Sequence, residues 1–440
     1  MPKPGLGVGM LRGAVGAAAA ALWLAFGGMF APAAAADLTA SDQQCLSCHG
    51  MAGLEAPLTS GGTLSVHIAG DAFAPSVHSA LGCATCHADI DLSAGHPGNV
   101  SPIADKRSFS RGMVQICANC HTEQASLWSK SVHAALVNSG NPNAPICTDC
   151  HSPHTMLKGQ AASMATVPCK SCHAVIFTAY AGSVHGLARE HGLNASPLCF
   201  NCHGAHDISV PSAGVGRKDV CLGCHTEAVA SHRSWLPNVD LHFTAVSCPV
   251  CHTPNAQRVV DLVLYNSGTQ KEVGETAGVP EFENLSGPVT AKQPGLAPAA
   301  LMTLLRALNH EDADGRTIIR GRLEVRTGVE DHQLTLASGA ISSCDTCHRQ
   351  GATAFQSVEV SVAGPAGIPI HYGADKDVLN SVFSVDAVSG FYAIGGTRIT
   401  FFDVLLFLAL VGGIAWPIGH AIVRWLVGRY LDLTTIHEPH

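Results

Sequence analysis

The composition of this 440-residue chain excludes an ordinary soluble enzyme, because only 13% of its residues are charged and 5% are aromatic, whereas soluble domains average about a quarter charged residues. The 18 cysteines, 25 histidines, 45 glycines and 24 prolines indicate that something other than apolar side chains fills the interior. The formal net charge of −8 argues against nucleic acid as a partner.

The first 36 residues have the features of a secretory signal peptide. Lys3 and Arg12 precede an apolar run, and a stretch of small residues ends at Ala36. A basic start, an apolar middle and an Ala-x-Ala exit are typical of a leader that is cleaved on export. We expect cleavage after residue 36, and an uncleaved anchor helix is the alternative.

All 18 cysteines fall in Cys-x-x-Cys-His motifs, so no cysteine is left over. Two thiols at this spacing add across the vinyl groups of one haem, and the adjacent histidine binds the iron. A disulfide scaffold would not require the histidines, and zinc sites would need paired motifs. The sequence therefore predicts nine covalently bound haem c groups with iron. The motifs are Cys45/Cys48/His49, Cys83/Cys86/His87, Cys117/Cys120/His121, Cys147/Cys150/His151, Cys169/Cys172/His173, Cys199/Cys202/His203, Cys221/Cys224/His225, Cys248/Cys251/His252 and Cys344/Cys347/His348.

Eight of these motifs lie in residues 37–254, which we predict to be one eight-haem domain. At this density haems must replace a side-chain core. We expect a largely irregular fold, with short helices such as 122–137 and 174–186 and with Gly, Pro and Asn in the loops between them.

The same region contains an internal repeat. Cys117 and Cys169 are 52 positions apart, as are Cys147 and Cys199. Both copies carry a Ser-Val-His element and end with Cys-His-x-x-His. Histidines at repeated offsets from haem motifs are candidates for the second axial ligand of an iron, whereas a lone exposed histidine usually has no such role. The predicted distal ligands are His67, His78, His96, His133, His154, His185, His206, His242 and His332, and His191, His232, His310 and His371 are in reserve as ligands or as partners of haem propionates.

These Ser-Val-His elements, and the segments that end at His154 and His206, resemble those of multihaem c-type cytochromes, a group that includes the NapC/NirT-type quinol dehydrogenases and octahaem tetrathionate reductases. The resemblance covers residues 37 to about 254. It implies a multihaem cytochrome c fold, in which such histidines are second axial ligands, often to a haem attached elsewhere in the chain. NapC/NirT proteins have an N-terminal anchor, however, and this chain is more similar to multihaem subunits of quinol-oxidising complexes.

Residues 255–398 differ in character, since no cysteine occurs between 255 and 343. Residues 299–308 read as a helix, and the alternating segments 319–326 and 357–362 read as strands. We predict a small strand-containing module that carries the ninth haem.

The segment from Val404 to Val423 is apolar and is long enough to cross a membrane. Arg424 and Arg429 follow it, as expected for the cytoplasmic side. The sequence thus predicts one transmembrane helix over residues 399–427 and a cytoplasmic tail over 428–440, with a buried hairpin of a soluble domain as the alternative. Together with the leader, this arrangement predicts a single-pass protein of the inner (cytoplasmic) membrane whose haem domain faces the periplasm.

These features predict an electron-transfer subunit with no catalytic residues of its own. Histidine on both faces of each iron suits electron transfer, because it leaves no position for a substrate. The expected partners are a quinol-oxidising cytochrome b or iron-sulfur subunit and a soluble cytochrome or terminal reductase. The alternative is a multihaem reductase of nitrite, hydroxylamine or tetrathionate, which would need one haem with an open position.

Overall fold

The computed structural model describes residues 38–98, 100–158, 163–209, 216–266, 268, 296–311, 317–349, 351–363, 369–380, 388–389 and 400–435. The predicted signal peptide and the last five residues of the predicted tail lie outside the described residues. The described chain is mostly irregular and partly helical, with two small sheets and one long apolar helix near its C-terminus. This agrees with the coarse features of the predicted fold class.

The chain forms two compact units. The first comprises the residues up to Cys117 together with Cys147–Ala161, and the second comprises Ala118–Ile146 together with Ala162 to the C-terminus. The boundary predicted between residues 254 and 255 stays a prediction.

The first unit is built from short helices and one hairpin. Its strands β1 (Glu55–Pro57) and β2 (Thr63–Ser65) pair antiparallel. A 3-10 turn covers Ser79–Leu81. The helices are Ala40–His49, Gly70–Phe73, Cys83–Cys86, Cys147–Cys150 and most of Lys106–Cys120.

Buried Asp42 joins the first two cysteine motifs in this unit. Its carboxylate accepts hydrogen bonds from the Thr39 hydroxyl at 2.6 Å and from the Cys83 N–H at 2.8 Å. The bond from Thr39 and then that from Cys83 lower the pKa of Asp42, so the carboxylate stays ionised. One side chain thus caps the helix of the first motif and anchors the start of the second.

The helical half of the second unit consists of short helices with serine caps. The expected helices 122–137 and 174–186 were wrong in extent, because each is broken at a serine. Ser131 has extended backbone and its side chain accepts a hydrogen bond from the Ala134 N–H, and Ser183 does the same with Gly186. The helices in this half are Thr122–Trp128, Val132–Asn138, Ala174–Ala181, Val184–Glu190, Cys199–His203, Gly216–Leu222, Ala228–Arg233, Val239–Ala245 and Cys248–His252, with a 3-10 turn at Pro168–Ser171.

A five-stranded mixed sheet forms the other half of the second unit. Its order is β6 (Pro369–Ala374), β5 (Val358–Ala363), β3 (Arg258–Asn266), β4 (Thr317–Val325) and β7 (Val388–Ser389). The pairs β3–β4 and β5–β6 are antiparallel, whereas β3–β5 and β4–β7 are parallel. Shorter elements around the sheet are Gly328–Asp331, Ala337–Gly339, Asp345–His348, Thr353–Phe355 and Lys376–Asn380.

The main apolar core lies on one face of this sheet. The helix Pro298–Glu311 packs there through Leu301, Leu304 and Leu305. This helix, β4 and β5 match the elements predicted from the sequence. The central strand β3 was not predicted, because both of its faces are buried and its run of apolar residues lacks the alternation of a half-buried strand.

The C-terminal helix spans Thr400–Thr435. Its segment Val404–Leu431 has 28 residues and a mean hydropathy of 1.9, and the other described residues bury none of it. By length and composition it is a candidate membrane-spanning helix, and it extends a few residues beyond the predicted range of 399–427.

Candidate functional site

The local structure of the cysteine motifs brings their three side chains to one side of the backbone. In most of them a short helical turn places the two cysteines and the histidine at positions i, i+3 and i+4, which share a helix face. The backbone N–H of the histidine then donates to the carbonyl of the first cysteine, as in His87 to Cys83 at 3.0 Å and His348 to Cys344 at 2.8 Å. Two thiols and one imidazole on a shared face can therefore reach one ligand.

The predicted attachment cysteines differ in exposure. The first cysteine is half-buried in eight motifs, whereas the second is exposed in six. Cys48 lies in the last turn of its helix, with its sulfur 3.9 Å from the Ser47 hydroxyl. Cys172 directly follows the 3-10 turn Pro168–Ser171. The exposed second cysteines are Cys48, Cys120, Cys150, Cys172, Cys202 and Cys224.

The protein chain alone therefore does not enclose these second thiols. Burial by protein gives no support to haem attachment at Cys48 or Cys172, and their role stays a prediction that rests on the motif. The backbone bond that defines the motif is nevertheless present beside Cys172, since the His173 N–H donates to the Cys169 carbonyl at 2.9 Å.

Seven of the motif histidines lie opposite a histidine from outside the motifs. The ring centroids in these pairs are 5.9–6.4 Å apart. Each pair combines one motif histidine with one other histidine. The pairs are His49–His96, His87–His154, His173–His133, His203–His332, His225–His185, His252–His232 and His348–His242.

This separation fits a metal ion held between two imidazoles. A bond of about 2 Å to each facing nitrogen, with about 1.1 Å from ring centre to nitrogen, gives centroids about 6.2 Å apart. The angle between the two ring planes varies from 13° to 68°. This variation is compatible with coordination, because a ring can rotate about its bond to the metal without losing it.

Hydrogen bonds to backbone carbonyls fix the Nδ1 atom of several of these rings. Nδ1 of His49 bonds the Val66 oxygen at 2.7 Å, and Nδ1 of His332 bonds the Gly328 oxygen at 2.6 Å. A carbonyl oxygen only accepts, so Nδ1 carries the proton and Nε2 is left as the metal-binding atom. The same bond occurs at His203 (3.3 Å), His232 (2.7 Å) and His242 (3.2 Å).

Burial also keeps many of these imidazoles neutral, which is the form that binds a metal. Loss of solvent is the largest cause that lowers the pKa of both rings in the pair His87–His154. It acts in the same way on His133, His185 and His252. The proximity of a second imidazole lowers these pKa values further.

Three of the four Ser-Val-His elements make one recurring backbone contact. The valine N–H donates to a carbonyl two residues after another histidine: Val77 to Met156 at 2.7 Å, Val132 to Ile208 at 3.0 Å and Val184 to Leu334 at 2.8 Å. The three acceptors follow His154, His206 and His332, respectively. His332 therefore occupies the same structural place as the histidines that end the two repeat copies, although it lies in a different sequence context.

The cysteine motifs also contact one another in pairs. The first cysteines of two successive motifs are within hydrogen-bonding contact in four cases: Cys45–Cys83, Cys117–Cys147, Cys169–Cys199 and Cys221–Cys248. In the second unit, Cys202 also interacts electrostatically with Cys224, and Cys251 with Cys347. The fifth to ninth motifs of that unit thus form an unbroken series of neighbours.

The structure brings six of the nine predicted distal histidines beside a motif histidine: His96, His133, His154, His185, His242 and His332. Nδ1 of predicted His67 bonds the backbone oxygen of His49 at 3.2 Å, and Nδ1 of predicted His78 bonds that of Pro153 at 2.9 Å. His206 has further interactions, as do the motif residues His121 and His151. The roles of His67, His78 and His206 as distal ligands stay predictions.

His232 was only a reserve candidate, yet its ring lies 6.2 Å from that of His252. A sequence signal existed, since His232 precedes the eighth motif within the same linker as His242. Reserve residue His371 lies on β6 instead, and the side chain of His310 is outside what the structure describes.

A separate polar cluster lies on the sheet, where ligand atoms of Asp261, Glu359 and His371 are all within 4.8 Å of one another. His371 Nδ1 is 3.1 Å from a Glu359 oxygen, which raises the pKa of the imidazole. The Ser361 hydroxyl donates to Asp261. Burial raises the pKa of Asp261 to about 7. His371 and Glu359 therefore form an ion pair, and the Asp261 carboxyl beside them is largely protonated below neutral pH.

No known family, curated protein or solved structure matches this chain.

Proposed function

We propose that this chain is a membrane-anchored nonahaem c-type cytochrome that carries electrons between a quinol-oxidising partner in the membrane and periplasmic acceptors. The observation that carries the proposal is the set of seven histidine pairs, each with one member in a Cys-x-x-Cys-His motif. The remaining two motifs have the same three residues at the same spacing.

When bound, each haem iron would supply a reversible one-electron redox centre. The chain's own residues would tether and orient it. The cysteine thiols would form the thioether links to the haem, and the motif histidine and the histidine paired with it would hold the iron. Carbonyl bonds to Nδ1, as at His332, hold the ring so that Nε2 faces the metal.

Contacts between motifs favour transfer along a series within each unit. Electrons pass between cofactors that lie close together, so neighbouring attachment points are a requirement. The cysteine contacts link the first motif to the second in the first unit and the fifth to the ninth in the second unit.

The same pairs argue against the reductase alternative for seven of the motifs. A reductase of oxyanions needs an iron with an open or weakly held position. A histidine lies opposite each of these seven motif histidines, and this leaves little room for a substrate.

The apolar helix supports the membrane location. Val404–Leu431 is long enough to span the hydrocarbon layer. Haem attachment to Cys-x-x-Cys-His together with a leader supports export, so we place the haem-binding part in the periplasm and the C-terminus in the cytoplasm. A cytochrome b or iron-sulfur subunit is the proposed membrane partner, and a soluble cytochrome or terminal reductase is the proposed periplasmic one.

Covalent haem counting on the purified full-length chain tests the proposal. Denaturation followed by pyridine haemochrome absorbance and intact mass should give nine haems per chain, and a Cys248→Ala/Cys251→Ala variant should give eight. Retention of zinc in place of haem, or free thiols at most motifs, would contradict it. Gentle solubilisation of the membrane and identification of co-purifying subunits then tests the partner.

A further inference from the structure

Arg322 is a nearly buried arginine with one set of donors unused. It lies on β4, and its side chain is 7% exposed. Its Nε donates to Glu324 at 3.1 Å and its Nη1 donates to the Thr244 carbonyl at 2.7 Å. Its Nη2 is buried and has no hydrogen-bond partner among the described residues.

A second unused donor lies on the same face of the sheet. The hydroxyl of Ser247 is buried and also has no hydrogen-bond partner in the described part of the chain. The Ser247 N–H donates to the Leu323 carbonyl at 3.1 Å, and Val246 forms a bridge with Leu323. Because side chains alternate along a strand, Ser247 lies on the sheet face that Arg322 occupies, and Val246 lies on the other.

These donors lie among the segments that carry predicted haem-binding residues of two motifs. Thr244 follows His242 by two residues on the helix Val239–Ala245, and the ring of His242 faces that of His348. Ser247 immediately precedes Cys248, and the charge of Arg322 reaches the Cys248 thiol. The two donors therefore lie between the eighth motif and the distal ligand of the ninth.

Two buried donors on one face of the sheet, without partners among the described residues, indicate a missing acceptor, because native proteins rarely leave a buried donor unsatisfied. Glu324 accepts only from Nε, so the Nη2 donor of the guanidinium still needs an acceptor, and the fork geometry of arginine suits a carboxylate. A haem brings two propionate carboxylates, which stand on the edge opposite its vinyl carbons. The haem tethered at Cys248 thus holds its own propionates away from Ser247, which favours a propionate of the neighbouring haem.

We propose that Arg322 Nη2 and Ser247 Oγ bind a propionate of the haem whose iron His242 and His348 hold, so that Arg322 is a positioning residue for the ninth haem. This inference rests on the proposed function. The two hydrogen bonds partly neutralise the anionic propionate and so raise the reduction potential of that haem relative to one whose propionate lacks them.

The test uses the full-length holoprotein and two variants. Arg322→Gln/Glu324→Gln removes the buried pair together, so no single charge is stranded, and Ser247→Ala removes the second donor alone. Arg326→Gln, at an exposed position just after β4, is the control. The readouts are a spectroelectrochemical titration of all haems and the propionate bending bands in resonance Raman spectra.

The double variant should lower the reduction potential of one haem by about 59 mV, which is about a tenfold change in its one-electron equilibrium. One propionate band should move with it, and Ser247→Ala should cause a smaller change in the same haem. Potentials and bands identical to the control in both variants would overturn the inference, because water would then be the acceptor. Fewer than nine haems in the unmodified protein would instead contradict the proposed function.

Discussion

His232 occupies the helix Ala228–Arg233 and faces His252 across 6.2 Å, with its Nδ1 bonded to the Ala228 carbonyl. We predict that His232→Ala leaves the haem of the eighth motif five-coordinate. The ferric protein should then gain a high-spin EPR signal that integrates to one haem per chain, and the ferrous protein should bind one equivalent of carbon monoxide. The physical reason is the loss of the second axial imidazole.

A control separates this effect from general damage. His191→Ala alters an exposed histidine that ends a helix, and it should leave the spectrum unchanged. A high-spin signal from His191→Ala but not from His232→Ala would contradict the assignment of His232 as the second ligand.

The repeat fixes the distance along the chain between a candidate distal ligand and the motif histidine that it faces. His133 and His185 occupy equivalent positions in the two copies, and both face a motif histidine that lies 40 positions later. The partner of His242 is His348, more than a hundred positions away and across the whole sheet module. No spacing rule links the two, because the chain between them folds into strands that return it to the same place.

At the scale of the element, the serine caps set the direction of the distal ligands. Ser131 caps the helix that begins at Val132, and His133 is the second residue of that helix. We predict that Ser131→Ala lowers the free energy of unfolding by about 1 kcal/mol and increases the high-spin fraction at the haem of His173. Thermal unfolding and EPR measure the two effects.

Two further variants test whether the effect is specific to the Ser131 cap. Ser131→Thr keeps the acceptor and should retain most of the stability. Ser139→Ala alters an exposed serine at the other end of the same helix and should change neither quantity. Equal losses from Ser131→Ala and Ser139→Ala would rule out a specific role for the cap.

Buried Asp261 on the central strand β3 should make the free energy of unfolding depend on pH. Burial raises its pKa from 3.8 to about 7, so the folded state holds a proton that the unfolded state has lost. The stability contribution of this group is full below pH 3.8, falls as the pH rises toward about 7 and is constant above that. Asp261→Asn should therefore stabilise the protein at pH 8 by up to about 4 kcal/mol, and by little at pH 4.

Thermal unfolding at pH 4, 6 and 8 measures this difference. Asp377→Asn, at an exposed position of the same unit, is the control. A stability difference between wild type and Asp261→Asn that does not change with pH would mean that Asp261 is ionised throughout.

Strands were predictable where polar and apolar residues alternate along the sequence, and obscure where they do not. The segment that became β4 alternates in hydrophobicity, and the structure has a strand over Thr317–Val325. The central strand β3 has no such alternation, because the core covers one of its faces and polar groups such as Arg322 and Asp261 are buried on the other side of the sheet. The helix breaks at Ser131 and Ser183 were not predictable from the sequence either, because their capping bonds depend on the direction of the backbone.

At the scale of the whole molecule, the C-terminal helix should determine the location of the protein. Removal of residues 400–440 should release the chain from the membrane into the soluble periplasmic fraction with its haems intact. The hydrophobic segment Val404–Leu431 is the reason, since nothing in the rest of the structure buries it. Alkaline carbonate extraction followed by haem staining measures the partition.

A truncation at residue 431 provides the comparison, because it removes only the end of the tail and keeps the span. This shorter truncation should leave the protein in the membrane. Membrane retention of the chain that lacks residues 400–440 would mean that another segment or a bound subunit anchors it.

The proposed electron-transfer role requires paired imidazoles at every Cys-x-x-Cys-His motif. Quantitative EPR of the oxidised full-length protein tests this pairing most directly, with the haem content measured on the same sample. We expect nine haems per chain with all of their intensity in low-spin ferric signals. A high-spin signal equal to one haem or more in the unmodified protein would contradict the account, because it would identify an iron with an open face.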